Sequence, residues 1–254
     1  MRRGPAVRHL GLATVWLLLA LSSPARATSD VLVVDLSEET VAITTGFAGT
    51  DVILFGAIEG PGDVVVIVRG PDRPVVMRRK SRVLGVWINT AKMTFDRAPS
   101  FYAVASSRPL AEVAQETVLS REQMGLDNLR LDLPRAKASA NVAAEWRAGL
   151  VRNHQKLGLY QSEIRPITVQ FDRLFRAVLY LPANVSTGKY QVQVYLLRDG
   201  RVVSARSRGL DVERVGAEAA IYDFAYQNAP LYGLIAILVA LMAGWAAHLV
   251  FRKA

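Results

Sequence analysis

The sequence contains no cysteine and only three histidines among its 254 residues. The missing thiols exclude disulfides, thiolate metal sites and cysteine nucleophiles. Two of the histidines, His9 and His248, lie in strongly apolar terminal segments, so His154 is the only histidine between them. A centre with several histidine ligands is therefore excluded from the middle of the chain, and we expect neither a metal nor a cofactor.

The sequence also lacks the motifs of nucleotide, calcium and glycoside chemistry, because it has no Walker loop, no Gly-x-Gly-x-x-Gly turn and no clustered carboxylates. A serine nucleophile at Ser100, Ser106 or Ser107 would need His154 as its base, and no Gly-x-Ser-x-Gly elbow is present. His154 has polar neighbours and is predicted to lie at the surface. We therefore expect a protein that is not an enzyme, and an envelope enzyme is the least supported hypothesis.

The net charge of +9 is concentrated at the two ends of the chain. When the six terminal basic residues are set aside, 25 of the 31 basic residues remain, and with the 22 acidic residues they give a net charge of about +3. Nucleic-acid binding requires a dense basic surface on the folded domain, so we expect no nucleic-acid partner. The six residues are Arg2, Arg3, Arg8, Arg26, Arg252 and Lys253.

The amino-terminal segment has the pattern of an export signal. Its basic residues precede an apolar run of about 12 residues, and small residues occupy both sides of Arg26. The alternative, an uncleaved anchor, would need about 20 apolar residues to cross the hydrocarbon. The sequence therefore predicts a signal peptide over residues 1–27 with cleavage after Ala27.

The carboxyl-terminal segment, residues 231–251, is uninterrupted by charge. A helix of this length spans roughly 30 Å, which matches the hydrocarbon thickness. Arg252 and Lys253 follow it directly, so the positive-inside rule predicts a cytoplasmic tail over residues 252–254 and a preceding domain on the opposite side of the membrane.

The exported middle, residues 28–212, has the pattern of a β domain. Short apolar runs alternate with Gly, Pro and Asp turn signals up to about residue 105, which is typical of a sandwich. Asp199-Gly200 predicts a tight hairpin after a strand in which one set of alternate residues faces the core. That set comprises Tyr190, Val192, Val194 and Leu196.

A helical insertion is predicted over about 107–160. Pro109 suits a first helical turn, Ser120 with Gln123 matches a capping box, and four apolar residues keep a helical spacing. These are Val142, Trp146, Leu150 and Leu157. Together the patterns predict a mainly β protein: an Ig-like β-sandwich with this insertion, a juxtamembrane stalk over 213–230 and one transmembrane helix over 231–251.

Five stretches and the terminal anchor together form a recognisable pattern: GTDVILFGAI, DVVVIVRGP, RRKSRVLGVWIN, PSFYAVASSRPL and TGKYQVQVYL. This pattern resembles the alphaproteobacterial Alph_Pro_TM family of transmembrane proteins. The resemblance covers nearly the whole mature chain. It implies a single-pass inner-membrane protein, and it brings no catalytic residues. Together with the topology predicted from the two ends of the chain, this places the domain in the periplasm.

Two groups of residues in the β domain are candidate contact sites. The basic cluster of Arg78, Arg79, Lys80 and Arg82 could hold an anion or lipid headgroups, or it could be the solvated face of an edge strand. The aromatic residues flanking a segment that we interpret as turn-rich could form a partner surface, or they could be core. These are Trp87, Phe95, Phe101 and Tyr102.

In the predicted span, small residues recur every four positions and continue to a histidine near the cytoplasmic end. Such a stripe lets a second helix approach closely, and an ionisable residue in a span is itself a functional candidate. Alanine and glycine are also common in spans without pairing. The residues are Ala236, Ala240, Gly244 and His248.

These patterns favour an accessory or interaction subunit of another inner-membrane protein, for example a transporter-like one. The alternative is a periplasmic module that binds a small anion or an envelope component through the basic cluster. The first hypothesis requires an integral-membrane partner, whereas the second requires only a ligand.

Overall fold

The computed structural model describes residues 32–133 and 139–251. The predicted signal peptide and cytoplasmic tail lie outside the described residues. Within those two ranges the chain forms three β-sheets, several short helices and two longer helices. The second of the longer helices is apolar and is the last described element. The prediction of a mainly β protein with a carboxyl-terminal apolar helix is confirmed.

The strands, in chain order, are β1 (Leu32–Leu36), β2 (Thr40–Ile43), β3 (Gly49–Ile58), β4 (Asp63–Arg69), β5 (Asp72–Val83), β6 (Val86–Pro99), β7 (Tyr102–Ser106), β8 (Arg165–Pro166), β9 (Thr168–Gln170), β10 (Leu174–Pro182), β11 (Gly188–Arg198) and β12 (Arg201–Arg214). The helices are α1 (Leu110–Val113), α2 (Glu116–Glu122), α3 (Ala140–Lys156), α4 (Ala217–Gln227) and α5 (Ala229–Phe251), with a 3₁₀ turn at Leu126–Asn128.

Two of the sheets form a sandwich. A four-stranded sheet of order β1-β3-β10-β9 lies against a six-stranded sheet of order β2-β12-β11-β4-β7-β8, with β1 next to β12 and β10 next to β4 and β7. Alternate residues of β11 are completely buried, as their spacing predicts. These are Tyr190, Val192, Val194 and Leu196.

A second core covers the other face of the six-stranded sheet. The burial patterns of β4 and β7 show no exposed side, because residues such as Val65 and Ile67 contact a cluster that includes Trp146 and Leu150 of α3. The segment after β7 therefore forms a helical layer on the sandwich. Its predicted capping box is wrong, since α2 begins at Glu116 and places Ser120 inside the helix.

The third sheet is the hairpin of β5 and β6 alone. The stretch after Trp87 is predicted to be turn-rich, and this prediction is wrong, because β6 continues over 14 residues. The pairing shifts register between Arg73 and Val75, near the base, and again at a bulge farther out. At that bulge Arg79 pairs with Ala91 and Lys80 pairs with Asn89, leaving Thr90 as an extra residue.

The last strand leads through α4 to the apolar helix. β12 lies between β11, with which it is antiparallel, and β2, with which it is parallel, so it is hydrogen-bonded on both sides near Val212. It continues to Arg214, and only two residues separate it from α4. Ala229–His248 of α5 is long and apolar enough to cross a membrane, and the rest of the described protein buries none of it.

Candidate functional site

The β5–β6 hairpin is a largely exposed element of the described sandwich domain, because most residues of both strands are exposed. Its strands pair from Asp72 and Pro99 at the base to Val83 and Val86 at the apex, a length of about 36 Å at 3.3 Å per residue. No third strand joins the pair among the described residues. A two-stranded sheet of this kind needs support from other elements to be stable.

That support covers only the half of the hairpin near its base. Phe95 is fully buried and Met93 nearly so, and both belong to the second core. Helix α3 approaches at Gly149, where a Cβ atom would stand 3.2 Å from Cε of Met77. Beyond this point the side chains of both strands are largely exposed.

The two faces of the outer half differ in chemistry. Cross-strand partners share a face, so Val83, Val86 and Ile88 continue the line of Met77 and Met93 as an apolar face. Trp87 pairs with Arg82 on the opposite face. The cations of that opposite face, here called the basic face, are Arg78, Lys80, Arg82 and Lys92.

The structure separates Arg79 from the other three residues of the predicted basic cluster. Its Nη2 lies 2.6 Å from Oε1 of Glu145, and its guanidinium lies 5.0 Å from the ring centre of Trp146. Among the described residues it is the only one of the four in an ion pair; Arg82 instead donates through Nε to the carbonyl oxygen of Gly85 at 3.2 Å. Arg79 therefore fastens the hairpin to α3, and the basic face lies outside that contact.

The turn of the hairpin has an unusual residue for its backbone. Leu84 and Gly85 both have positive φ, at 50° and 87°, the pattern of a type I′ turn. Glycine, asparagine and aspartate adopt this conformation readily, whereas an ordinary side chain costs about 1–2 kcal/mol. Leu84 is 99% exposed and Trp87 is 67% exposed, so their side chains make few packing contacts. We call residues 83–88 the hairpin apex.

The second candidate element is α5, where the predicted stripe lies on one side of the helix. Its small residues recur every four positions, and a Cβ added at Gly244 would meet nothing within 4 Å. The side chain of His248 is exposed near the end of the same stripe. The stripe, Ala236, Ala240, Gly244 and His248, is thus open to contact with a second helix.

A family model described as "Putative transmembrane protein (Alph_Pro_TM)" matches residues 31–253. The chain belongs to this family. The match includes all of the described sandwich, the β5–β6 hairpin and α5, so the Alph_Pro_TM family is defined by the body and its apolar helix together. A search of curated proteins finds no match to the chain.

The aromatic partner surface predicted for this Alph_Pro_TM chain is wrong at Phe101 and Tyr102. Phe101 is buried and its ring centre lies 6.0 Å from that of Tyr190. The Tyr102 hydroxyl donates to the Gln123 carbonyl oxygen at 2.6 Å, and burial raises the pKa of Tyr102 to about 12. Phe101 precedes β7 and Tyr102 is its first residue, and this strand has a packed layer on each face. Of the three predicted surface residues, only Trp87 is exposed.

His154 is not the surface residue that its neighbours in sequence predict. It is half-buried, its ring centre lies 4.6 Å from that of Tyr160, and its Nδ1 lies 3.2 Å from the Leu150 carbonyl oxygen. Burial lowers the pKa of His154. Ser106 Oγ, one of the serines considered as a nucleophile, donates to the Arg108 carbonyl oxygen at 2.6 Å. In the described residues, no group of three or more His, Asp or Glu side chains is placed to hold a metal.

Proposed function

We propose that this Alph_Pro_TM protein is a non-enzymatic interaction subunit held beside another integral-membrane protein. The observation that carries the proposal is α5, an apolar helix that the rest of the described protein leaves uncovered and that follows the folded body through the short helix α4. A tether of this kind raises the concentration of the body at the membrane, so weak contacts there add up.

The stripe on α5 supports pairing with a partner's helix. In a bilayer, helices associate through close backbone approach, which small side chains permit. The open space at Gly244 is consistent with such an approach. The proposal includes the topology derived from the sequence: export by the signal peptide, the body in the periplasm, α5 in the inner membrane and Arg252 with Lys253 on the cytoplasmic side.

Substitutions in the stripe test this proposal. The tagged full chain would be captured from gently solubilised membranes as wild type, as Ala240→Leu/Gly244→Leu, and as the control Ala246→Leu, which adds bulk to another side of α5. We expect one integral-membrane protein at fixed stoichiometry with the wild type and the control, and several-fold less with the double variant. Equal recovery with all three chains would contradict the proposal.

The basic face favours a second candidate function, binding of an anionic ligand or envelope component. Four cations lie on one side of the outer hairpin, and residues 76–95 contain no acidic side chain. This function needs no second protein, so the purified chain is sufficient to test it.

A further inference from the structure

The hairpin apex contradicts the rules that govern turns in water. It carries exposed apolar side chains on both sides of a turn that would be more stable with asparagine or aspartate in place of Leu84. An apolar projection of this kind also favours aggregation. A feature that lowers stability without a compensating contact in the described protein indicates a function outside it.

The size of the apex argues against a protein as its main occupant. Stable protein interfaces use about 20–30 residues on each side, whereas the apex has six, on a narrow two-stranded projection. A bilayer surface requires much less, because a few apolar side chains can enter the headgroup layer individually. Tryptophan is enriched at that depth, and Trp87 lies next to the turn.

The charge of the outer hairpin selects the kind of bilayer. Arg78, Lys80, Arg82 and Lys92 lie behind the apex, where they would meet headgroups once the apex enters the lipid. Cations near an anionic leaflet are attracted to it, and no carboxylate of residues 76–95 opposes this attraction. Neutral lipid offers the apolar contact alone.

The base of the hairpin lies at the end of the sandwich from which the chain continues to α5. Arg73 donates to the Thr187 carbonyl oxygen at 2.8 Å, and the Pro71 ring packs against Gly188. Gly188 pairs with Val212 of β12, close to the start of α4. The base of the hairpin and the start of the tether therefore lie at the same end of the sandwich.

We propose that the hairpin apex inserts into the anionic headgroup layer of the bilayer that carries α5. The body then has two membrane contacts, one permanent through α5 and one reversible through residues 83–88. This inference rests on the proposed membrane span and does not depend on the proposed protein partner.

The absence of cysteine permits a direct test with single labels on the full chain. Leu84→Cys, Asp199→Cys and Leu238→Cys would each carry an environment-sensitive fluorophore, in vesicles of phosphatidylcholine with or without phosphatidylglycerol. Lipid-borne quenchers report insertion and aqueous iodide reports exposure. We expect lipid-borne quenchers to quench the label at 238 in both kinds of vesicle and the label at 199 in neither. The label at 84 should be quenched several-fold more strongly in vesicles with phosphatidylglycerol than in vesicles of phosphatidylcholine alone.

A pair of charge variants tests the basic face. In the Leu84→Cys background, Arg78→Gln/Lys80→Gln should reduce lipid quenching several-fold, whereas Arg152→Gln/Lys156→Gln removes the same charge from α3 and should leave it unchanged. All four side chains are exposed, so the unfolding temperature of each variant should match that of its parent. Equal quenching in both variants would contradict the role of the basic face.

The other outcomes of the labelling experiment are also decisive. Equal iodide exposure at 84 and 199 in anionic vesicles would overturn the inference while quenching at 238 upheld the span. Loss of quenching at 238 would overturn the span and the inference together. If the label at 84 were quenched only by quenchers carried in added protein-free vesicles, the apex would enter a bilayer other than the one that carries α5. That result would contradict the inference. Shielding at 84 only in native membranes would assign the apex to a protein and likewise overturn the inference.

Discussion

Two hairpins of this protein use the same backbone turn with different residues. In the β5–β6 hairpin, Leu84 and Gly85 have φ of 50° and 87°; in the β11–β12 hairpin, Asp199 and Gly200 have φ of 48° and 73°. Aspartate tolerates this conformation and leucine does not. The first turn therefore forms against local preference and the second in agreement with it, which points to a role for Leu84 outside folding.

The surroundings of the two hairpins differ in the same direction. β11 lies between β12 and β4, and from Val194 to Leu197 it is buried on both faces. The β5–β6 pair has no further strand among the described residues and is covered only near its base. One hairpin thus holds the fold together, while the outer half of the other depends on the fold for its position.

The largest expected difference between the hairpins is in the free energy of unfolding. Leu196→Ala removes a completely buried side chain and should lower it by about 2–5 kcal/mol. Trp87→Ala, on the exposed apex, should change it by less than about 1 kcal/mol. Chemical denaturation of the detergent-solubilised chain would measure both, and a comparable loss in the two variants would show that the apex is packed.

Substitution of the first turn residue should change the free energy of unfolding by an intermediate amount, with opposite signs in the two hairpins. Leu84→Asn places a residue that tolerates positive φ in the first turn and should stabilise the protein by about 0.5–1 kcal/mol. Asp199→Leu should destabilise it by about 1 kcal/mol.

The same denaturation measurement applies to the turn exchange, with Asp199→Asn as the control that keeps a tolerant residue. If Leu84→Asn lowered stability instead, Leu84 would have a structural contact in the protein. The inference of membrane insertion would then lose its main support.

The smallest expected effect is on stability at acid pH, and it arises at Asp63 of β4, the strand that pairs with β11. Asp63, paired with Leu197 across the sheet, accepts hydrogen bonds from Arg108 Nε at 2.8 Å and from Ser107 Oγ at 3.0 Å. The hydrogen bond from Arg108 lowers the pKa of Asp63 although burial raises it. The outer β5–β6 hairpin has no carboxylate to form an equivalent contact.

The sign of this pH effect follows from the lowered pKa. The folded protein favours the charged carboxylate, so the stabilisation is complete above the pKa of the unfolded chain, about 3.9, and is lost as the pH falls through the folded pKa. Asp63→Asn should flatten the loss of stability below about pH 4. The exposed control Asp172→Asn should keep the slope of the wild type, and identical slopes in all three proteins would contradict this role of Asp63.

The sequence predicts elements whose signals are local and leaves out those that depend on a second layer. The alternation around Val192 and the Asp199-Gly200 turn locate the β11–β12 hairpin, because pattern and turn chemistry agree there. The sequence around Phe101 and Tyr102 would be the same whether these aromatic side chains lay in a surface patch or in a core. Tertiary packing decides between the two: Tyr102 belongs to the core under the helical layer, whereas Phe101 contacts Tyr190 on the other face of the six-stranded sheet.

The candidate site is predicted in part for the same reason. The basic residues are evident in the sequence, but the alternation of β5 sends Arg79 to α3 and its neighbours to the opposite face. The bulge at Thr90 then keeps Trp87 on the basic face, and no sequence pattern marks a bulge. Leucine before glycine is a weak turn signal, so the apex itself is visible only in the structure.

The position of β12 has a mechanical consequence for a body fixed to a membrane. This strand leads to α5 and is bonded along one edge to β11 and along the other to β2. Tension from α5 reaches β12 at its carboxyl end, where both neighbours are bonded to it. The component of that tension along the strand axis loads both ladders in shear, so that many hydrogen bonds resist at once. The body can therefore bear a pull from its own anchor without unravelling from that end.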